Sequence, residues 1–124
     1  MITGLDHIVL AVRDVAQTVA FYHERLGFEA EVDADGKWTL HLGAQKINLQ
    51  NVKNLPAIAK NTLPGTANFC VLTSEDTFGL AHRLREAGIA VLKGPVERIG
   101  ATGQTMSVYF NDPDGNLVEI ARPV

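Results

Sequence analysis

The stretch GLDHIVLAVRDVAQTVAFYHERLG, residues 4–27, decides the fold, because a related stretch, GTANFCVLTSEDTFGLAHRLREAG, follows at residues 65–88. Four positions of the first stretch recur 61 residues later with residues of similar kinds. These positions are Gly4, His7, Asp14 and Gly27 in the first copy and Gly65, Asn68, Glu75 and Gly88 in the second. The chain is therefore interpreted as an internal duplication, in which each copy is one supersecondary unit.

The spacing between the copies grows toward the end of each unit. It rises from 61 residues between His7 and Asn68 to 69 residues between Gln50 and Glu119. The increases fall in segments that are predicted to be loops or turns, where insertions are tolerated. The duplication therefore predicts that His7 and Asn68 begin equivalent first strands, and that Gln50 and Glu119 lie at equivalent positions in the last strands.

Each copy is predicted to fold as one strand, one helix and three further strands. Residues 5–12 are aliphatic and β-branched, which is typical of a buried strand, and Asp14 suits the N-cap of the following helix. The other predicted strands are 28–32, 37–42 and 46–51 in the first copy, and 67–73, 89–96, 104–110 and 116–121 in the second, which has its helix at 75–87. The predicted class is α+β, a single domain of two βαβββ modules: module 1 at about 3–51, a linker at 52–65 and module 2 at about 66–122.

Composition and charge narrow the function classes. The chain is 46% hydrophobic and 20% charged, with a formal net charge of −3 and no run of Lys or Arg. We therefore expect neither nucleic acid nor an anionic membrane as its main partner. No apolar stretch approaches the roughly 20 residues that span a bilayer, and the N-terminus lacks the features of a secretory signal. With the single cysteine Cys70, which excludes an internal disulfide, this predicts cytoplasmic residence and a buried Cys70 in its strand.

Two residues on predicted strands have side chains that suit a metal site. The turn DPDG at residues 112–115 sets the register of the last strand and places Glu119 among apolar neighbours. His7 likewise lies on a face with aliphatic residues. Imidazole and carboxylate are suitable ligands for Zn²⁺, Ni²⁺, Mn²⁺ and Fe²⁺, and the amide of Gln50 is a weaker donor. An edge-exposed Glu119 and a hydrogen-bonded core His7 remain open alternatives.

Three further residues are candidates for binding a substrate. Lys46 and Asn48 alternate with the core positions of their strand and share the face of Gln50, so we expect them to line the same cavity. Arg98 lies in the segment 97–103, ERIGATG, which is predicted to be a glycine-containing loop. In that position it is a candidate for contact with an anionic substrate, with a solvated surface role as the alternative.

Longer motifs extend the comparison over nearly the whole chain. The motifs GLDHIVLAVRD at 4–14, TVAFYHERLGF at 18–28 and YFNDPDGNLVEI at 109–120 resemble the vicinal oxygen chelate superfamily. This superfamily includes glyoxalase I, extradiol dioxygenases, fosfomycin-resistance thiol transferases and bleomycin-binding proteins. GAQKINLQ at 43–50 and the stretch 94–120 resemble a small glyoxalase-domain subgroup in particular. The resemblance implies paired βαβββ modules whose curved mixed sheets enclose a cavity, with the helices outside.

The resemblance also implies which residues bind a metal. In the superfamily the ligands come from the first and last strands of each module. Carried onto this sequence, these positions are His7, Gln50, Asn68 and Glu119, and Glu119 is also the candidate catalytic residue that moves a proton. His7 and Glu119 match the usual ligand types, whereas Asn68 stands where histidine is common. The implied cofactor is a divalent ion, namely Zn, Ni, Mn or Fe.

The function implied by the resemblance is a glyoxalase-like, metal-dependent lyase or isomerase. It would act on a small substrate with adjacent oxygens through a metal-stabilised enediolate. The alternative is a metal-free small-molecule or antibiotic-binding protein of the bleomycin-resistance type, which Asn68 and Gln50 favour. A ring-cleaving dioxygenase is a third option, which Asn68 disfavours because it breaks the set of two histidines and one carboxylate. A homodimer is also implied, with modules paired within a chain or exchanged between chains.

Overall fold

The computed structural model describes residues 1–124 and shows two compact units, Met1–Ala67 and Asn68–Val124. Unit 1 contains β1 (His7–Val12), α1 (Val15–Val19) with a π-helical continuation (Ala20–Arg25), β2 (Glu29–Val32), β3 (Trp38–Leu42), β4 (Gln45–Asn51) and a 3-10 turn (Val52–Asn54). Unit 2 contains β5 (Asn68–Leu72), α2 (Thr77–Glu86), β6 (Lys93–Gly100), β7 (Gly103–Asn111) and β8 (Leu117–Pro123). No helix is long and apolar enough to cross a membrane.

Each unit holds one four-stranded mixed sheet, and the two sheets have the same strand order. The orders are β1-β4-β3-β2 and β5-β8-β7-β6. The first and last strands of each unit pair in parallel, and the remaining pairs are antiparallel. A parallel pair needs a crossover connection, which the helix and the following hairpin supply in each unit. The predicted α+β class with two βαβββ modules is therefore confirmed.

Aspartate side chains cap both helices at their N-termini. Asp14 caps α1 as predicted, because its carboxylate accepts a hydrogen bond from the backbone N–H of Gln17 at 3.0 Å. In unit 2 the cap is Asp76, which accepts from the backbone N–H groups of the first turn of α2. Glu75, the repeat counterpart of Asp14, instead forms an ion pair with Arg83 of α2. The capping function is therefore kept in both units, although its position shifts by one residue.

The core of each unit lies between its helix and one face of its sheet. In unit 1 the fully buried side chains include Tyr22, Leu40 and Ile47, and the Tyr22 ring packs edge-on to Phe28 with centroids 5.2 Å apart. In unit 2 the core is formed by Ala81 and Leu84 of α2 with four buried residues of the sheet, Val108, Phe110, Val118 and Ile120. The opposite face of each sheet keeps exposed apolar side chains, since Val9 is 45% exposed and Leu72 is 69% exposed.

The predicted DPDG turn joins β7 to β8 and is stabilised by a buried carboxylate. Asp112 is 5% exposed. Its Oδ1 accepts from the backbone N–H groups of Asp114 and Asn116 at 3.0 and 2.9 Å, and its Oδ2 accepts from Asn116 Nδ2 at 2.8 Å. These bonds satisfy the turn's backbone donors without water. They fix the register of the hairpin, in which Glu119 stands opposite Tyr109.

The loop predicted at residues 97–103 is wrong. Most of this segment belongs to β6, which pairs with β7 from Lys93 to Gly100, so the strand predicted at 89–96 begins and ends four residues later. Gly100 and Gly103 are opposite each other in the ladder and close the hairpin through a two-residue turn. The two glycines that the sequence assigned to a loop therefore flank the turn of a hairpin. Glycine is favoured in tight β-turns as well as in loops, so its presence did not distinguish the two.

The predicted burial of Cys70 is also wrong. Side chains of β5 alternate, and Asn68, Cys70 and Leu72 lie on the exposed face, whereas Phe69 and Val71 are partly buried. An apolar run of five residues does not reveal which face a residue occupies, because that depends on which side the helix covers.

Replacing Gly94 by alanine should destabilise unit 2 much more than the same change at Gly36 destabilises unit 1. Both glycines have positive φ, +101° and +81°, but only at Gly94 would a Cβ lie 2.3 Å from a backbone oxygen, that of Ser107. Gly36→Ala should lower the free energy of unfolding by about 1–2 kcal/mol, and Gly94→Ala by roughly 4 kcal/mol or more. Urea denaturation measures both, and equal losses would contradict the close approach.

Candidate functional site

The exposed face of the unit 1 sheet carries two rows of polar residues across adjacent strands. In the first row Lys46 of β4 stands between His7 of β1 and His41 of β3. In the second row Asn48 stands between Val9 and Thr39 in the same way. The Thr39 hydroxyl donates a hydrogen bond to Asn48 Oδ1 at 3.3 Å. The register therefore brings an imidazole and a primary amide to neighbouring positions on one face.

His7 is oriented by the residue that precedes it. Its Nδ1 lies 2.8 Å from Asp6 Oδ2. The hydrogen bond from the His7 ring is the largest cause that lowers the pKa of Asp6, and the charge of Lys46 acts in the same direction. A carboxylate that accepts from Nδ1–H leaves Nε2 as the ring nitrogen with a free lone pair, which is how metal-binding histidines are commonly held. Asp6 is therefore a site residue that the sequence reasoning missed.

The exposed face of the unit 2 sheet carries a cluster centred on Glu119. On adjacent strands Glu119 of β8 stands opposite Cys70 of β5 on one side and opposite Tyr109 of β7 on the other. Both side chains are cross-strand neighbours of its carboxylate, and the Cys70 thiol donates to the Val71 carbonyl at 3.7 Å. Arg98 of β6 extends the cluster, because its Nε donates to the Tyr109 hydroxyl at 3.2 Å and its guanidinium carbon lies 5.7 Å from the Tyr109 ring centre. Arg98, predicted to contact an anionic substrate, is thus engaged with a tyrosine.

The neighbours of Glu119 are held in their protonated forms. Partial burial, with the negative charge of Glu119 and a hydrogen bond to it, raises the pKa of Cys70 to about 11. Burial and the hydrogen bond to Glu119 also raise the pKa of Tyr109, while Arg98 acts in the opposite direction. Near neutral pH both groups can therefore donate hydrogen bonds to the Glu119 carboxylate.

The register corrects one predicted equivalence between the two units. In unit 2 Asn68 pairs with Leu117 and Cys70 pairs with Glu119. Glu119 therefore lies two residues beyond the partner of Asn68 on the neighbouring strand. In unit 1 His7 pairs with Lys46 and Val9 pairs with Asn48. Asn48 therefore lies two residues beyond the partner of His7, in the position that Glu119 has relative to Asn68. The predicted equivalence of Gln50 with Glu119 is therefore wrong, and Asn48 occupies that position. The predicted and the observed registers of the last strand differ by two residues. Such a difference keeps every side chain on the same face, so the alternation of residues in the sequence could not distinguish the two registers.

Gln50 lies farther along the same face. It pairs with Ala11, four residues beyond His7 on β1, a separation of about 13 Å along the strands. Its Nε2 donates a hydrogen bond to the Asn54 carbonyl at 2.8 Å. The Oε1 atom of Gln50 is the one that could coordinate a metal ion. Unit 1 thus brings His7 and Asn48 together and does not bring His7 and Gln50 together.

Unit 1 also contains an open cavity of about 740 Å³ beside these residues. Its walls include Lys46, Asn48 and Gln50, with Trp38 and Thr39 of β3. Lys46, Asn48 and Gln50 thus line the same cavity, and their contact with a substrate stays a prediction. A pocket that combines an aromatic ring with amide groups is suited to a small polar molecule.

The strong metal donors are distributed sparsely. No group of three His, Cys, Asp or Glu side chains is placed to hold a metal ion. His7 in unit 1 and Glu119 in unit 2 are strong donors that each lie next to an amide, Asn48 or Asn68. Imidazole, carboxylate and neutral amide oxygens together are chemically compatible with a divalent ion. In unit 2 the thiol of Cys70 is an additional donor beside Glu119, which strand alternation from Asn68 could have indicated.

Comparison with known proteins gives a consistent family. The profile of the Glyoxalase/Bleomycin resistance protein/Dioxygenase superfamily matches residues 4–120. The virulence protein STM3117 of Salmonella typhimurium is 44% identical over 126 residues, which cover 100% of this chain and 87% of that protein. The glyoxalase domain-containing protein RDO1 of Mycosarcoma maydis is 37% identical over 97% of this chain and 68% of its own length. The metallothiol transferase FosB of Staphylococcus haemolyticus is 27% identical over 97% of this chain and 84% of its own length.

The similarity extends to three dimensions. The crystal structure of STM3117 superposes with a TM-score of 0.92 at 43% identity and covers 100% of this chain and 99% of the other. The two chains therefore share the same overall fold.

Removing the charge of Glu119 should make Cys70 more reactive. With a pKa of about 11, about one Cys70 thiol in 1,000 is ionised at pH 8. Glu119→Gln removes the electrostatic part of the shift but not the part due to burial, so the alkylation rate of metal-free protein at pH 8 should rise about three- to tenfold. Iodoacetamide labelling followed by mass spectrometry reports this residue alone, because the chain has one cysteine.

Glu97→Gln is the matched control for that measurement. It removes the same charge from an exposed position of β6, in unit 2 but outside the cluster. Its alkylation rate should equal that of the wild type. An equal increase in both variants would show that net charge, and not contact with Glu119, controls the thiol.

Proposed function

This chain belongs to the Glyoxalase/Bleomycin resistance protein/Dioxygenase superfamily, and we propose that it is a glyoxalase-like, metal-dependent enzyme. Its substrate would be a small molecule with two adjacent oxygens. The relation to a metallothiol transferase supports the metal dependence, because that relative covers nearly the whole chain. The single observation that carries the proposal is the pair of strong donors on exposed sheet faces, His7 with its Nε2 available and Glu119 between two protonated neighbours.

The proposed ligands are His7 and Glu119, with one amide of β4, Gln50 or Asn48, and with Asn68 as a further candidate. The register adds Asn48 as a competitor of Gln50, since Asn48 is the residue that lies beside His7. A set with one imidazole, one carboxylate and amides should bind metal more weakly than a set with two histidines, because amide oxygens are neutral donors. The ion would be Zn²⁺, Ni²⁺, Mn²⁺ or Fe²⁺.

The chemistry proposed for the site is proton transfer next to a carbonyl. When bound, a divalent ion would supply Lewis-acid stabilisation for an enediolate. Glu119 would move the proton, because it is a carboxylate with two hydrogen-bond donors beside it and a partly buried side chain. Lys46 and Asn48 would contact the substrate from the wall of the unit 1 cavity.

A second candidate function is a metal-free binding protein that sequesters a small molecule. Asn68 and Asn48 favour it, because amides stand at the two positions beside Glu119 and His7 where stronger metal donors would be useful. Ligand binding that a chelator leaves unchanged would favour this function over the enzyme. A ring-cleaving dioxygenase is disfavoured by Asn68, and oxygen uptake with Fe²⁺ and a catechol would be its test.

The metal-dependent proposal predicts which substitutions alter metal affinity. In protein purified without an affinity tag, His7→Ala and Glu119→Gln should each weaken Zn²⁺ binding about 100-fold, because each removes a strong donor. Asn68→His should strengthen it about tenfold, since imidazole is a better donor than an amide. Competition with a chromophoric chelator measures each affinity.

Two control variants separate ligand loss from a change of charge or stability. His82→Ala and Glu97→Gln remove the same residue types at exposed positions, and they should leave Zn²⁺ affinity unchanged. Comparing Asn48→Ala with Gln50→Ala then identifies the third ligand. Wild-type protein that retains no metal after loading with Zn²⁺, Ni²⁺ or Mn²⁺ would contradict the enzyme proposal and leave the binding protein.

We also propose that the protein is a cytoplasmic homodimer. The exposed apolar side chains Val9 and Leu72 support self-association, because each lies on the sheet face that its own helix leaves uncovered. Sedimentation velocity should give a mass near twice the 13.4 kDa of one chain. Leu72→Glu should shift the protein toward the monomer, and a wild-type monomer would refute the assembly.

A further inference from the structure

The guanidinium of Arg98 is fixed at two points in unit 2. Its Nε donates to the Tyr109 hydroxyl at 3.2 Å, and its Nη1 donates to the Glu97 carbonyl at 2.9 Å. The guanidinium carbon also lies 5.7 Å from the centre of the Tyr109 ring, within the range of a cation–π contact. Arg98 is partly buried, and rotation of its side chain would break these contacts. The contacts therefore favour one placement of the guanidinium beside the tyrosine side chain.

The direction of the hydrogen bonds follows from the chemistry of the groups. A guanidinium can only donate, so the Tyr109 hydroxyl must accept from Arg98. The single hydroxyl proton of Tyr109 is then free to be donated elsewhere. The Glu119 carboxylate, which can only accept when ionised, stands directly opposite Tyr109 in the ladder and on the same face of the sheet. The three groups are thus arranged so that a cation, a hydroxyl and an anion follow one another in the order of a one-way chain of donors.

Such a chain is stronger than its separate bonds. A positive donor polarises the hydroxyl and strengthens the bond that the hydroxyl donates in turn. Arg98, Tyr109 and Glu119 are all partly buried, so water competes with these bonds less than it would at an open surface. Cys70 faces Glu119 from the other neighbouring strand, and its thiol donates to the Val71 carbonyl at 3.7 Å. The side of β8 that can restrain the carboxylate is therefore that of Tyr109.

We propose that Tyr109 and Arg98 are positioning residues that hold the Glu119 carboxylate in one orientation on the exposed face of unit 2. Tyr109 acts directly through its hydroxyl, and Arg98 acts through Tyr109. The inference rests on the proposed function only in so far as Glu119 binds a metal or moves a proton. The orientation of Glu119 itself is a property of the metal-free chain.

The first test measures Zn²⁺ affinity in single and double variants. Tyr109→Phe removes the hydroxyl and keeps the ring, and it should weaken Zn²⁺ binding about tenfold, the effect expected for a group that orients a ligand. Arg98→Met should weaken binding three- to tenfold in the wild-type background. It should have no further effect in the Tyr109→Phe background, because Arg98 acts through the hydroxyl. Additive losses would overturn this order of action.

The second test uses metal-free protein and separates this inference from the proposed function. Three-bond couplings of ¹³C-labelled Glu119 should show one side-chain rotamer in the wild type and rotamer averaging in Tyr109→Phe and Arg98→Met. Tyr22→Phe, which removes the other tyrosine hydroxyl of the chain in the core of unit 1, should leave the couplings unchanged. Identical couplings in all four proteins would overturn the proposal, even if thermal stability fell.

The two tests together give distinguishable failures. A wild type that binds no Zn²⁺ but has an ordered Glu119 that loosens in Tyr109→Phe would refute the metal-dependent function and support the positioning pair. A wild type that binds Zn²⁺ equally well with and without the Tyr109 hydroxyl would support the function and refute the pair.

Discussion

Parallel strands can pair only when the connecting chain returns to the end of the sheet from which it left. In both units a helix and a hairpin provide this return, so the first and last strands become neighbours. The helix covers one face of the sheet and forms the core there. The opposite face carries His7, Asn48, Asn68 and Glu119 among the residues of the first and last strands. Every candidate for chemistry in this chain depends on that pairing.

The polar groups on the free faces are held by partners on the same or neighbouring strands. Asp6 orients His7, and Thr39 orients Asn48. In unit 2 an ionised carboxylate in a partly buried position would be costly without donors, and Tyr109 and Cys70 provide them. A half-buried, hydrogen-bonded carboxylate is better suited to a defined ligand or proton-transfer role than a fully solvated one, because fewer orientations are available to it.

The position of Glu119 is also determined by a turn several residues away. Asp112 satisfies the donors of the DPDG turn and so fixes where β8 begins relative to β7. A slip of one residue would turn Glu119 toward the core, into a position that Val118 or Ile120 now occupies, and would turn those two side chains outward. The strongest local motif of the sequence therefore acts on the candidate site through strand register and not through direct contact.

The sequence by itself determined the duplication, the α+β class, the Asp14 cap, the final turn and which residues share a face with His7 or Glu119, because these follow from local periodicity and turn chemistry. Only the tertiary structure decided that Asn48 and not Gln50 lies beside His7, and that Cys70 is exposed. It also decided that Arg98 lies on a strand against Tyr109. Alternation has a period of two residues, so it assigns a side chain to a face but cannot choose among registers that differ by two. That choice is made by hydrogen bonds between strands that are distant in the chain.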